Sequence, residues 1–187
     1  MGTLDGLRVA ILVENGFEQS ELLKPREFLE AAGAQTQIVS PQPECVRGWS
    51  HGEWGDVMPV DVPLERAHSG DFDALLLPGG VLNPDRLRTN EAAVTFVKTF
   101  VIARKPVAAI CHGPWMLIEV GAARGRRIAA WPSLETDLRN AGAEWVDEPV
   151  AVDGDFVTSR KPEDIPAFNR AIGEVFGRTR ELARRSA

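Results

Sequence analysis

The chain contains no tyrosine and only three histidines and two cysteines among its 187 residues. The absence of tyrosine excludes any chemistry that depends on a phenol. Two cysteines, Cys45 and Cys111, are too few for a disulfide scaffold, and a chain of this length can bury a large core without such bridges. We therefore predict that the protein works in a reducing compartment, the cytoplasm.

The three histidines are His51, His68 and His112, and no two of them have the spacing of metal ligands. This argues against a zinc site. Because no histidine follows position 112, a hydrolase triad in the chain order nucleophile, acid, histidine is excluded. We expect a protein that needs neither a metal nor another cofactor.

Excess positive charge and long apolar segments are also missing. The net charge is -6, whereas proteins that bind the phosphate backbone of nucleic acids present a basic face. The apolar run at residues 9–13 is far too short to span a membrane. With 44% hydrophobic and 26% charged residues, the composition predicts a single globular domain over residues 1–187, with no nucleic-acid and no membrane partner.

Short apolar runs alternate with amphipathic stretches along the chain. Strands are predicted at residues 8–13, 36–40, 74–77 and 107–110, and helices at 20–32, 90–103 and about 166–184. Residues 41–70 predict a small β-hairpin or flap, and Asp153-Gly154 marks a second hairpin. Continuous apolar strands between helices predict a mostly parallel sheet covered on both faces. Ligands bind such sheets at the carboxyl ends of the strands.

One nucleophilic side chain directly follows the predicted strand at 107–110. The run Cys111-His112-Gly113-Pro114 is typical of a sharp turn from a strand into a helix. Gly113 permits close backbone approach, and Pro114 suits the start of a helix. This is the pattern of a nucleophile elbow with cysteine in place of serine. We expect the Cys111 sulfur at a helix N-terminus, where the helix dipole favours the thiolate.

Two further features fall at the same edge of the predicted sheet. Pro78-Gly79-Gly80 follows the strand at 74–77, and its backbone amides could stabilise an oxyanion. Glu18 begins the helix after the first strand. It either serves the helix dipole or, when protonated, donates a hydrogen bond to the sulfur, and the residues alone favour the first interpretation.

These runs in combination resemble the DJ-1/PfpI superfamily, and most closely its PfpI-like branch of intracellular proteases and bacterial stress proteins. The resemblance spans about residues 8–176 and also includes Asn140-Ala141-Gly142-Ala143 and Val152-Asp153-Gly154. It implies a flavodoxin-like three-layer α/β sandwich with a mostly parallel central sheet, like that of class I glutamine amidotransferases. Those amidotransferases need a histidine well downstream of the cysteine, which this chain lacks.

The resemblance also implies roles for individual residues. Cys111 would be the nucleophile, and Glu18 would be its carboxylate neighbour, which replaces the interpretation that the residues alone favour. Gly79 and Gly80, together with the backbone of His112, would form the oxyanion site.

A further implied role concerns a second subunit. In PfpI-like proteases, the residue after the elbow cysteine pairs with an acid from a neighbouring subunit. The matching acid for His112 here is Asp85, where those proteases carry glutamate, and this implies a homo-oligomer of at least two subunits. Trp131 stands where archaeal relatives have a tyrosine near the pocket.

Members of this superfamily are described as proteases, as glyoxalase III or deglycase enzymes that act on methylglyoxal adducts, as chaperones and as oxidative-stress sensors. We expect a thiol enzyme in which Cys111 attacks an activated carbonyl and His112 or Glu18 moves protons. Small reactive carbonyls, or the proteins they damage, are the expected substrates. The alternatives are a non-enzymatic sensor or chaperone whose Cys111 oxidises reversibly and, as a third choice, a cysteine protease.

Overall fold

The computed structural model describes residues 3–185, with side chains to residue 178. Within this range the chain forms twelve strands and six α-helices. The strands are β1 (Arg8–Leu12), β2 (Phe17–Glu18), β3 (Gln35–Ser40), β4 (Cys45–Ser50), β5 (Glu53–Pro59), β6 (Val62–Pro63), β7 (Ala74–Leu77), β8 (Val107–Ile110), β9 (Arg127–Ala129), β10 (Glu144–Val146), β11 (Val150–Asp153) and β12 (Phe156–Ser159). The helices are α1 (Gln19–Ala31), α2 (Leu82–Arg88), α3 (Glu91–Ile102), α4 (Trp115–Glu119), α5 (Glu135–Asn140) and α6 (Ile165–Arg185).

A seven-stranded sheet in the order β11-β12-β8-β7-β1-β3-β6 forms the centre of the described chain. Its strands are parallel to their neighbours except for β11 and β12, which pair antiparallel around Asp153-Gly154. The expected mostly parallel sheet and the second hairpin are therefore confirmed. The expected hairpin is present in the first part of residues 41–70, because β4 and β5 pair antiparallel outside the central sheet. The end of that range differs from the prediction, because β6 pairs with β3 at the edge of the central sheet.

Both faces of the central sheet are buried. Successive residues of a strand point to opposite sides, so each strand contributes to two cores. In β1, Val9 and Ile11 join the core on one side, whereas Ala10 and Leu12 join the core on the other. Helices α1 and α6 cover the first side with Leu22, Leu29, Phe168 and Ile172, and α3 and α4 cover the second with Phe96, Phe100 and Met116. In the part of the chain that is described, no helix has the length and apolar character needed to cross a membrane.

Helix α2 is an element that the sequence analysis did not predict. It begins two residues after Gly80, so its first turn lies at the carboxyl edge of the sheet. Pro84 is its third residue, a position where the missing amide costs no intrahelical hydrogen bond. The proline therefore does not break this helix.

Candidate active site

Cys111 lies in the turn after β8 with a backbone φ of 61°, in the left-handed region that residues other than glycine seldom adopt. Two backbone hydrogen bonds fix this conformation. The Cys111 amide donates to the Ser159 carbonyl at 3.0 Å, and the Cys111 carbonyl accepts from the Trp131 amide at 3.0 Å. The sharp turn expected from the sequence is present, and strain held in this way is typical of functional sites.

The helix after Cys111 begins later than expected. Residues 111–114 form a turn, and α4 begins only at Trp115 and is five residues long. Individual amides act on the sulfur in place of a long helix dipole. Burial raises the pKa of the Cys111 thiol, and hydrogen bonds from the backbone N–H groups of Gly80 and His112 oppose part of this rise.

The carboxyl group beside the sulfur belongs to Glu21, and not to Glu18 as the resemblance implied. Glu21 is completely buried, and its Oε2 accepts a hydrogen bond from the Gly79 amide at 2.8 Å. A Cβ on Gly79 would lie 2.6 Å from both the Cys111 Cβ and Glu21 Oε2, so these two side chains are close neighbours. Glu18 also lines the cavity above Cys111, but its Oε1 accepts from Ser20 Oγ at 3.1 Å.

Burial raises the pKa of Glu21 from 4.5 to about 8, and the nearby charge of Glu18 adds to the rise, while the Gly79 amide opposes it. Glu21 therefore holds a proton at neutral pH. Its Oε1 has no hydrogen-bond partner among the residues that the structure describes. A buried, protonated carboxyl with one free oxygen is suited to transfer a proton to a bound substrate.

The Cys111 thiol and the Glu21 carboxyl are coupled. Burial raises the pKa of the thiol, and the charge of ionised Glu21 raises it further. The second effect is absent while Glu21 keeps its proton, so the two groups together carry at most one negative charge at neutral pH. The low thiol pKa that the sequence predicted is therefore wrong for the free site, because the sulfur lies deeper than an exposed elbow would place it.

His112 is buried beside the sulfur, with Nδ1 at 3.2 Å from Cys111 Sγ and Nε2 at 3.5 Å from Ser133 Oγ. Trp131 stacks on the imidazole at 6.1 Å between ring centroids, and Trp115 meets it edge-on at 5.1 Å. Burial lowers the pKa of His112, so the ring is neutral at neutral pH. A neutral imidazole can accept the thiol proton.

The two glycines expected to form the oxyanion site differ in what they can donate. The Gly79 amide already donates to Glu21, so it is not available to an oxyanion. Gly80 has a φ of 76°, and a Cβ there would lie 2.5 Å from the Gly16 carbonyl oxygen, so only glycine fits. The amides of Gly80 and His112, which both reach the sulfur, remain as candidate oxyanion donors.

A cavity of about 640 Å³ opens above these groups. Glu21, Cys111 and His112 form its base, and Trp49, Leu82 and Trp131 contribute to its walls. Lys161 and Glu163, which the sequence analysis did not single out, also line it. Among the described residues, no cluster of histidine, cysteine or acidic side chains could hold a metal ion.

Asp85 is separated from this cavity within one chain. It is exposed on α2 and does not belong to the cavity lining. Among the described residues, no hydrogen bond or ion pair joins Asp85 to His112. A role for Asp85 at the site therefore needs a second subunit.

Comparison with protein families matches residues 7–175 to the DJ-1/PfpI family. The chain belongs to this family. The expected resemblance is thereby confirmed. This DJ-1/PfpI chain is 42% identical over 164 residues to a deglycase of Pyrococcus horikoshii, and the matched residues cover 88% of this chain and 96% of that protein. It is 41% identical over 172 residues to protein/nucleic acid deglycase 2 of Escherichia coli, covering 91% and 98%. General stress protein 18 of Bacillus subtilis is 41% identical over 167 residues, covering 88% and 95%.

Solved structures give the same fold for this family member. A two-domain protein of Anabaena variabilis, with DJ-1/ThiJ/PfpI-like and ferritin-like domains, superposes with a TM-score of 0.85 at 35% identity, over 91% of this chain and 50% of that one. DJ-1beta of Drosophila melanogaster superposes with a TM-score of 0.82 at 24% identity, over 95% and 96%. The expected flavodoxin-like α/β sandwich is confirmed.

Proposed function

We propose that the protein is a stress-protective deglycase that removes reactive-carbonyl adducts from protein side chains through Cys111. The observation that carries this proposal is the protonated, buried Glu21 beside Cys111 at the base of an open cavity. Relatives that are named deglycases, at 42% identity for the one from Pyrococcus horikoshii, support the same reaction. One relative is named a protein/nucleic acid deglycase, so glycated nucleotides are a second substrate to test.

The chemistry begins with thiol activation. Neutral His112 accepts the thiol proton through Nδ1, and Cys111 Sγ attacks the carbinol carbon of a methylglyoxal adduct. The carbon–nitrogen bond breaks and the amine leaves with a proton. The product on the enzyme is a hemithioacetal between the cysteine and methylglyoxal.

Glu21 then moves protons on this intermediate. A proton leaves the hemithioacetal carbon and another reaches the neighbouring carbon, which converts the hemithioacetal into a thioester of lactate without any external oxidant. The amides of Gly80 and His112 stabilise the negative oxygen that develops. Water hydrolyses the thioester, so adduct plus water gives free amine plus lactate, and Cys111 is regenerated.

We further propose a homo-oligomer in which Asp85 of the partner subunit reaches His112, and a cytoplasmic location. The exposed position of Asp85 on α2 supports the first point, because an exposed acid close to the active edge is available to a neighbour. The two cysteines that form no disulfide with each other support the second, because free thiols persist in a reducing compartment.

A redox sensor is the second candidate function. The unpartnered Oε1 of Glu21 favours it, because a protonated carboxyl there can donate a hydrogen bond to a sulfinate on Cys111. The relative named general stress protein 18 is compatible with either function.

The test uses methylglyoxal-modified N-acetylarginine, with lactate and free N-acetylarginine measured over time without metal or thiol. Wild type and Cys45→Ser should both turn over many equivalents, whereas Cys111→Ser should lose nearly all activity because a hydroxyl lacks the nucleophilicity of a thiolate. Glu21→Gln should bind the adduct but fail to release lactate.

Two outcomes would overturn the proposal. Release of lactate no faster than the spontaneous dissociation of the adduct would mean that the enzyme acts on free methylglyoxal only. Formation of a single stoichiometric adduct on Cys111, with no lactate, would favour the sensor.

A further inference from the structure

Asn83 is a polar side chain that is completely removed from solvent in the first turn of α2. Its Nδ2 donates to the carbonyls of Pro78 at 2.9 Å and Gly79 at 3.0 Å. Its Oδ1 accepts from the Glu14 amide at 2.7 Å. Because the Glu14 N–H can only donate, the atom of Asn83 that faces it must be the amide oxygen, and the amide nitrogen faces the two carbonyls. Asn83 therefore gives an acceptor to one segment and a donor to the other.

These hydrogen bonds join two loops that meet at the active edge. Glu14 follows β1, whereas Pro78 and Gly79 follow β7. The buried Glu14 carboxylate is itself held by the Asn15 amide at 2.7 Å and by Gln42 Nε2 at 3.0 Å. The loop after β7 is therefore tied to a rigid, hydrogen-bonded support.

The carbonyl orientations that Asn83 sets also determine where the next amide points. The Gly79 carbonyl and the Gly80 N–H belong to one planar peptide unit, so holding the oxygen fixes the direction of the N–H. Gly80 and Cys111 line the same cavity, and the Gly80 N–H is one of the two amides that act on the Cys111 sulfur as hydrogen-bond donors. Asn83 touches neither the sulfur nor the cavity, and it acts through the loop.

We propose that Asn83 is a positioning residue that holds the Pro78-Gly79-Gly80 loop so that the Gly80 N–H stays directed at the reacting atoms beside Cys111. The expected effect of Asn83 on turnover rests on the proposed function. The position of the Gly80 amide at the sulfur does not depend on any substrate. Replacement of Asn83 leaves the Pro78 carbonyl without this donor and leaves the Gly79 carbonyl with the longer hydrogen bond from the Glu18 amide at 3.3 Å. The peptide unit between Gly79 and Gly80 is then held less firmly.

The experiment compares Asn83→Ala and Asn83→Ser with Val97→Ala, all in a Cys45→Ser background that leaves one thiol. Val97 is buried in α3 on the opposite side of the sheet from Cys111 and provides a matched loss of stability without contact with the site. For each variant, kcat, KM, the thermal midpoint and the pH midpoint of Cys111 alkylation by iodoacetamide are measured. The titratable groups that line the cavity with Cys111, namely Glu18, Glu21, His112, Lys161 and Glu163, are the same in all variants.

Asn83→Ala should lower kcat by about 10²-fold, the usual effect of a displaced catalytic group, with a much smaller change in KM. Its alkylation midpoint should move to higher pH, since the Gly80 amide stabilises the thiolate. Asn83→Ser keeps one donor and should show a smaller change of both quantities. Val97→Ala should lower the thermal midpoint but leave kcat and the alkylation midpoint at the background values.

An unchanged alkylation midpoint in Asn83→Ala, or a shift of equal size in Val97→Ala, would overturn the proposal and leave Asn83 as an ordinary core residue. If Asn83→Ala does not fold, the same comparison is decided by Asn83→Ser. If the Cys45→Ser background shows no deglycase turnover, the proposed function fails, and the pH midpoint of Cys111 alkylation still decides the role of Asn83.

Discussion

Glu21 illustrates at the scale of one residue how burial creates a chemical function. A carboxyl in water would be ionised at neutral pH and would repel a neighbouring thiolate. Removal from solvent raises the pKa of Glu21 to about 8, so the same group becomes a proton donor. The Gly79 amide donates to its Oε2 at 2.8 Å and orients the carboxyl group beside Cys111.

Glu21→Gln should change how stability depends on pH. Glu21 is protonated in the folded state up to about pH 8 but in the unfolded state only up to about 4.5. Between these values the folded state binds more protons, so wild-type stability falls as pH rises, by up to about 1.4 kcal/mol per pH unit. Glutamine cannot ionise, so the free energy of unfolding of Glu21→Gln relative to wild type should rise from pH 5 to pH 8.

Urea unfolding at several pH values measures this difference. Glu27→Gln, on the exposed side of the same helix, is the control and should follow wild type. A constant difference between Glu21→Gln and wild type across this range would contradict the raised pKa.

The sequence contained a signal for Glu21 that the prediction of Glu18 overlooked. Glu21, Pro25 and Leu29 are spaced by four residues, and all three are buried on one face of α1. A carboxylate on the apolar stripe of a helix is a candidate for a perturbed pKa. The role of Gly79 was not predictable in the same way, because only the folded structure shows that its amide is already occupied.

At the scale of one element, the turn between β8 and α4 depends on close contact between backbones. A Cβ on Gly113 would lie 2.4 Å from the Leu77 carbonyl oxygen and 2.9 Å from that of Ile110. Neither oxygen belongs to a side chain that can move aside. The turn can therefore carry Cys111 across the end of β7 only with glycine at position 113.

Gly113→Ala should destabilise the protein by about 2 kcal/mol or more and should also reduce turnover, because the backbone must shift under Cys111. Gly70→Ala is the matched control. A Cβ at Gly70 meets no described atom within 4 Å, so its effect should stay within about 0.5 kcal/mol. Urea midpoints at constant m-value measure both changes, and equal midpoints for the two variants would contradict the close contact.

Elements with a strong internal pattern were predictable from the sequence. The apolar runs at β1, β7 and β8 gave their strands to within one residue, and α3 begins after Asn90, whose side chain accepts from the Ala93 amide as a helix cap. Helix α2 was missed because it is seven residues long and contains Pro84. In so short an element, neighbouring structure outweighs local propensity.

At the scale of the whole molecule, the parallel sheet brings together residues that are far apart in the chain. Gly80 follows β7 and Cys111 follows β8 at the carboxyl edge of this sheet. Glu21 on α1 and Trp131, which follows β9 of the separate two-stranded sheet, line the same cavity. This edge was predictable from the general rule for parallel sheets. The sequence did not predict whether a second subunit completes the site at this edge, because Asp85 lies outside the cavity of its own chain.

Mixing two inactive variants tests whether Asp85 of the partner subunit completes the active site. If His112 depends on Asp85 of the partner subunit, Cys111→Ala can supply the acid and Asp85→Asn can supply the intact thiol. Random exchange in a 1:1 mixture of dimers gives half mixed dimers with one complete site each, so about one quarter of the wild-type sites should return. A mixture of Asp85→Asn with the Cys111→Ala/Asp85→Asn double variant has no acid to supply and should show no gain. Activity equal to the mean of the separate variants would contradict the shared site. A monomer in light scattering would also contradict it, because Asp85 does not line the cavity of its own chain and would have no partner subunit to reach.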